Sequence, residues 1–234
     1  MNNNFRLLVI STSTIHGSSF LTYIKNDLVD FIQTDELIFL PYARPSGISY
    51  DEYTANVQKA LKDKGIRVKG LHTFSDQKDA IKKAKAIFIG GGNTFLLLKT
   101  LYELDLVSEI KSAVASGLRY VGTSAGSNLT GLTIGTTNDM PIVYPPSFEA
   151  LQFLPFNLNP HYLDTDPNST HKGETRETRI QEFHQFNSQA VLGLREGSWL
   201  HVEHGQIELK GVLSARLFQQ GKDPIELNPG QLQF

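Results

Sequence analysis

The segment VGTSAGSN, residues 121–128, holds a G-x-S-x-G pattern at Gly122, Ser124 and Gly126 directly after an apolar run. A serine hydroxyl attacks a carbonyl only when a base removes its proton and its Oγ stands exposed. A strand-to-helix elbow presents it so, with glycines two positions before and after relieving the crowding of a tight turn. The context here has that order, because residues 118–121 predict a buried strand and residues 127–132 can begin a helix. Ser124 is therefore the candidate nucleophile, against the plainer reading of a serine in a turn that needs small residues.

Acyl transfer also requires donors for an oxyanion. A second run, IFIGGGNTF, ends another predicted strand in Gly90, Gly91 and Gly92, whose amides could face the serine across the sheet edge. It lacks both the lysine of a P-loop and the spacing of G-x-G-x-x-G. The amides of Gly92 and of Ala125, the residue after the nucleophile, are the expected oxyanion pair.

Seven histidines could supply the base. His16, His72, His184, His201 and His204 lie early in the chain, in an ordinary strand, on a helix or in the terminal hairpin, where packing and surface roles are usual. His161 follows the predicted strand 156–160, and Pro160 fixes the backbone before it, which sets the imidazole at the sheet edge expected for Ser124. His171, in a polar loop beside Lys172, is the rival. A carboxylate should hold the other ring nitrogen. Glu196 in GLREGSW is the choice, with Asp139 in TTNDMP as competitor. The order Ser, His, acid differs from the Ser, acid, His of α/β-hydrolases.

These residues need a frame that brings them to one edge. Continuous apolar runs at 7–10, 37–40, 66–71, 86–89 and 118–121 predict strands covered on both faces, as in a parallel sheet. Between them Leu21, Ile24, Leu28, Phe31 and Ile32 have helical spacing, as do Tyr53, Val57, Ala60 and Leu61. A further helix is expected over 94–106, capped by Asn93 or Thr94. This alternation implies an α/β fold: a doubly wound, mostly parallel, flavodoxin-like sheet flanked by helices, with ligands beyond the carboxyl ends of the strands. After a loop rich in Gly, Thr and Pro, a helix is expected over 174–186, and from residue 190 onward antiparallel β strands added to one edge. The expectation is one domain, 1–234.

Composition narrows the chemistry. The 22 basic and 24 acidic residues are interspersed, with no basic block for nucleic acid. Cysteine is absent, which removes disulfides, thiolate metal sites and a cysteine nucleophile. The apolar run near the N-terminus is too short for a signal segment or membrane span, so a cytoplasmic protein is expected.

Taken together, FIGGGNTFLLLK, GTSAGSN, TTNDMPIV, NPHY, HKGETRETRI and GLREGSW closely resemble the peptidase E family of α-aspartyl dipeptidases, over nearly the full chain. The resemblance implies a class I glutamine amidotransferase-like fold with serine in place of cysteine, hydrolysis of dipeptides with an N-terminal aspartate, and no metal or cofactor. It places the nucleophile on Ser124, the base on His161, the carboxylate on Glu196 and the oxyanion donors on Gly92 and Ala125. It also places the aspartate-recognising arginine on Arg176, with Asn93, Thr94 and Asp139 near the site. Small dipeptides are the implied partners, for a monomer or homodimer. Two departures stand out: the loop 163–170, and Arg195 where a proline is often found. The alternatives are a cyanophycinase-like peptidase acting on β-aspartyl linkages, a glutaminase lobe and a non-catalytic binding module.

Overall fold

A computed structural model of the chain describes residues 5–166, 168, 170 and 173–233. In chain order it contains β1 (Arg6–Ile10), α1 (Lys25–Ile32), β2 (Glu36–Leu40), α2 (Tyr50–Leu61), β3 (Arg67–Gly70), α3 (Gln77–Lys83) and β4 (Ala86–Ile89). Then follow α4 (Thr94–Glu103), α5 (Val107–Ala115), β5 (Arg119–Thr123), the short α6 (Ala125–Asn128), β6 (Asn157–Tyr162) and α7 (Arg176–Phe186). The last part is all strand: β7 (Val191–Arg195), β8 (Ser198–Glu203), β9 (Gln206–Gly211), β10 (Ala215–Phe218), β11 (Ile225–Leu227) and β12 (Gly230–Leu232).

The large sheet has the order β12-β9-β8-β1-β5-β4-β2-β3, and its block β1-β5-β4-β2-β3 is parallel throughout. The apolar runs become buried strands because both faces are covered, and β1 shows this residue by residue. Leu8 and Ile10 pack with α1 and α2 through Leu28, Phe31, Tyr53 and Val57. Leu7 and Val9 face the other way, toward α3, α4, α5 and the inner side chains of a second sheet, such as Leu158 and Leu192. Successive side chains of a strand alternate between faces, so one continuous apolar run serves two cores. The fold class is the one expected: a mostly parallel sheet flanked by helices, with antiparallel strands toward the C-terminus.

Three local expectations need correction. The helical spacing beginning at Leu21 is real burial but only partly helix: Leu21 has φ of 59° and α1 starts at Lys25, although Leu21 and Ile24 are both fully buried. The expected helix 94–106 stops at Glu103, before Asp105 at φ 51°, and a separate helix, α5, follows from Val107 beyond the expected range. Third, the terminal strands do not all join one edge. β8, β9 and β12 extend the large sheet, while β7, β10 and β11 join β6 in a second sheet of order β11-β10-β7-β6. The chain crosses between sheets at Glu196 and Gly197, the turn from β7 to β8. Among the described residues, no helix is long and apolar enough to cross a membrane.

Candidate active site

The elbow forms where β5, buried along its length, hands the chain to α6. Ser124 has φ of 51° and ψ of −109°, a sparsely populated region for an L-residue that costs on the order of 1–3 kcal/mol. The flanking glycines allow the close approach. A Cβ at Gly122 would lie 2.6 Å from the Gly126 carbonyl oxygen, and one at Gly126 2.2 Å from that of Ile89. The Ser124 N–H donates to the Ile10 carbonyl at 3.1 Å, and the Ser127 hydroxyl donates to the same carbonyl at 2.7 Å.

The Ser124 hydroxyl donates to His161 Nε2 at 2.9 Å, and His161 Nδ1–H donates to Glu196 Oε1 at 2.6 Å. A carboxylate can only accept, so the ring proton belongs on Nδ1 and the Nε2 lone pair faces the serine. His161 reaches this position differently from the sequence expectation. It lies inside β6, on the second sheet, and not beyond a strand of the sheet that carries Ser124. At φ 54° it forms a bulge where the β6–β7 register shifts between Pro160 and Tyr162. Such a bulge re-aims a side chain out of the ladder. Glu196 is half-exposed in the β7–β8 turn.

Asp139 has other partners. Its Oδ2 accepts from the Thr94 N–H at 2.7 Å, the Thr94 hydroxyl at 2.6 Å and the Thr137 hydroxyl at 3.1 Å. It therefore braces the start of α4, and Glu196 is the carboxylate in contact with His161. Asn93 is likewise engaged: its Oδ1 accepts from the Leu96 N–H as the α4 cap, and its Nδ2 donates to the Met140 carbonyl. His171 lies outside the described residues.

The glycine turn packs against the elbow, since a Cβ on Gly91 would lie 3.0 Å from that of Ser124. Gly92 has φ of 145°, and any Cβ there would meet the Ala43 carbonyl oxygen at 2.2 Å. The turn is held by the Asn93 N–H donating to Ala43 and by the Tyr53 hydroxyl donating to the Gly91 carbonyl at 3.1 Å. Among the described residues, neither the Gly92 nor the Ala125 N–H donates to a backbone carbonyl. Ala125 opens α6, where helix amides have no intrahelical partner. A small cavity of about 20 Å³ sits over the elbow, lined by Thr94, Ser124, Asn128, Asp139 and His161 among others. A larger one of about 590 Å³ opens at the opposite strand ends near Arg6, Lys85 and Arg119. It contains no nucleophile–base pair.

Arg176 begins α7, which is capped by the Thr175 hydroxyl. The neighbouring carboxylates are used elsewhere: Glu174 faces Arg179, and Glu177 pairs with Arg216 at 3.1 Å. Among the described residues, Arg176 has no carboxylate within ion-pair distance. Burial first, then Arg179, lowers its affinity for its proton, while the charge of Asp139 opposes this.

The model of Peptidase family S51 matches residues 7–210. The chain belongs to peptidase family S51. It is 49% identical over 225 residues to Peptidase E of Streptomyces coelicolor, spanning 96% of this chain and 91% of that one. It is 46% identical over 227 residues to a Drosophila melanogaster protein named "Probable alpha-aspartyl dipeptidase", spanning 95% of this chain and 93% of that one. A solved peptidase from an acI-B1 Actinobacterium shares the fold at a TM-score of 0.72 and 16% identity, covering 98% of this chain and 97% of that one.

For this family S51 chain, the arginine at position 195 has a visible use that no motif signalled. Its guanidinium donates to Asp164 through Nε at 2.7 Å and Nη2 at 2.6 Å, and to Glu226 through Nη1 at 2.8 Å and Nη2 at 3.0 Å. The loop that leaves the His161 strand is thus tied to β11 through the residue beside Glu196. Hydrogen bonds from Arg195 hold both carboxyls below their ordinary range. Charge alternation within HYLD and LRE is too common in sequences to mark such a clamp.

Proposed function

We propose that this serine-type peptidase is an Asp-Xaa dipeptidase working through Ser124, His161 and Glu196. The carrying observation is the continuous contact from hydroxyl to imidazole to carboxylate, 2.9 and 2.6 Å long. His161 Nε2 accepts the serine proton as Oγ attacks the peptide carbonyl, while Glu196 stabilises the imidazolium that forms. The N–H groups of Gly92 and Ala125 take the oxyanion. The amine departs with the proton from His161, and water then resolves the acyl-enzyme by the reverse use of the same base.

In this reading Arg176 receives the β-carboxylate of the substrate's aspartate through two parallel hydrogen bonds. Its lack of an ion-pair partner among the described residues supports the assignment, because a guanidinium without one is available to a ligand. The relatives named as an α-aspartyl dipeptidase and as peptidase E support the same substrate class. Asn93 and Thr94 contribute to the substrate site as its wall, held with Asp139. A single buried cluster that includes Leu7, Tyr120, Leu158 and Leu217 supports treating 1–234 as one domain.

The test is a dipeptide panel with purified protein: Asp-Leu against Glu-Leu, Asn-Leu, β-Asp-Leu and a longer Asp-terminated peptide. Asp-Leu should be cleaved with a clear preference. Equal cleavage of Asn-Leu would remove the arginine from its assigned role, and preferential cleavage of β-Asp-Leu would change the substrate class.

A further inference from the structure

The three residues of the proposed triad come from distant segments and from two sheets, so something must fix the seam between them. The peptide Ile10-Ser11, where β1 ends, bonds to the backbone of Ser124, to that of His161 and to the strands on either side of Glu196. The Ile10 carbonyl accepts the Ser124 N–H. The Ser11 hydroxyl accepts the His161 N–H at 3.0 Å and donates to the Leu194 carbonyl at 2.7 Å. The Ser11 N–H donates to the Ser198 carbonyl at 3.1 Å. Leu194 and Ser198 stand two residues before and two after Glu196.

From this we infer that Ser11 is a positioning residue for the proposed triad, holding the His161 bulge and the Glu196 turn in register with the Ser124 elbow. Its side chain is fully buried and carries no charge. The bulge explains why a hydroxyl is needed. His161 is the residue that the β6–β7 pairing skips, so its N–H must find an acceptor outside the ladder. A hydroxyl can accept that bond and donate another at once, which an alanine or an aliphatic side chain cannot. One small group therefore joins the base-bearing strand, the acid-bearing turn and the central sheet.

The inference rests on Ser124, His161 and Glu196 being the triad, and the experiment separates the two. Ser11→Ala and Ser11→Cys are assayed on Asp-Leu, alone and in a Glu196→Gln background, with Ser124→Ala as the reference. Small displacements of catalytic groups cost up to about 100-fold. Ser11→Ala should lower kcat roughly 10- to 100-fold with KM changed less than about twofold, since it acts on the chemistry and not on substrate binding. In the Glu196→Gln background the same substitution should lower kcat by less than about threefold, because groups acting as one unit are not additive. Ser11→Cys, similar in shape with a weaker donor and acceptor, should fall between, and is read in the same two backgrounds if the alanine variant does not fold. An unchanged kcat, or the same fold-loss in both backgrounds, overturns the inference. If Ser124→Ala is inactive while Ser11→Ala is fully active, the triad stands and Ser11 alone is wrong. If Ser124→Ala retains turnover, both fall.

Discussion

Arg176→Ala offers the sharpest test of substrate selection, because the structure separates its effect on binding from any effect on stability. Hydrogen bonds to a charged group contribute about 1.5–3 kcal/mol each, so a two-bond clamp on a carboxylate would contribute roughly 3–6 kcal/mol. Arg176 is only partly buried, and solvent competes with the clamp, which favours the low end, about 3 kcal/mol. That corresponds to a loss of about 100-fold in kcat/KM for Asp-Leu. Asn-Leu, which carries no charge at the same place, should lose much less, so the Asp/Asn ratio collapses. Among the described residues Arg176 has no ion pair to lose, and the Tm should move by no more than about 2 °C. Arg176→Lys should recover only part of the ratio, since an ammonium cannot make the parallel pair. The assay is initial-rate kinetics on both dipeptides beside a thermal melt. An equal loss on Asp-Leu and Asn-Leu would refute the clamp, and a large drop in Tm would show that the residue has a structural role instead.

Other perturbations read different parts of the site. Ser124→Ala and Ser124→Gly should both abolish turnover of Asp-Leu, but only the glycine relieves φ of 51°, so it should melt about 2–4 °C above the alanine variant; equal melting would show that the elbow is not strained. Gly92→Ala drives a Cβ to 2.2 Å from a carbonyl oxygen and should lower both Tm and kcat, with kcat measured at a temperature where the variant is fully folded. Arg195→Ala should lower Tm at neutral pH. Because Asp164 and Glu226 are held low when folded, their stabilisation is complete above the unfolded carboxyl range and is lost as pH falls through the folded values. The Tm gap to the parent should thus be constant from pH 7 to about 5 and narrow below about pH 4, leaving only what the Arg195 contacts to Ser214 and Tyr162 contribute. A gap as wide at pH 2 as at pH 7 contradicts the clamp.

Much of this arrangement was legible in the sequence, for reasons that differ by residue. Ser124 is marked by Gly122 and Gly126, the glycines a tight elbow demands, and the continuous apolar runs at 86–89 and 118–121 read as strands covered on both faces. The signal for His161 is partly misleading. Pro160 suggested a strand end at the edge of the main sheet, whereas the imidazole is turned by a bulge in a second sheet, and a one-residue register shift leaves no trace in apolar spacing. The choice between Glu196 and Asp139 could not be made from spacing, since it depends on Asp139 being engaged by Thr94 and Thr137. Leu21 shows the opposite limit: its burial was correctly implied by periodicity, but a left-handed turn can bury the same side chains as a helix. Ser11 lacked any signal, because a lone serine after an apolar strand is ordinary until its three partners converge in space.

The two residues of the proposed nucleophile–base pair, Ser124 and His161, are both non-glycine residues with φ above 50°. Each such conformation costs on the order of 1–3 kcal/mol and persists only where the surroundings over-determine it. Here the surroundings are specific. Ser124 is confined by the Gly126 approach to Ile89 and by the Ile10 carbonyl, and His161 by the Ser11 hydroxyl. The same two backbone distortions that turn Oγ and Nε2 toward each other are therefore the ones that the end of β1 restrains. A chain with this fold but a relaxed elbow or an unbulged β6 would gain stability and lose the 2.9 Å contact. The separation of the proposed nucleophile and base onto two sheets makes their geometry a property of the seam, and the seam is held by hydrogen bonds that a change far from the substrate can break.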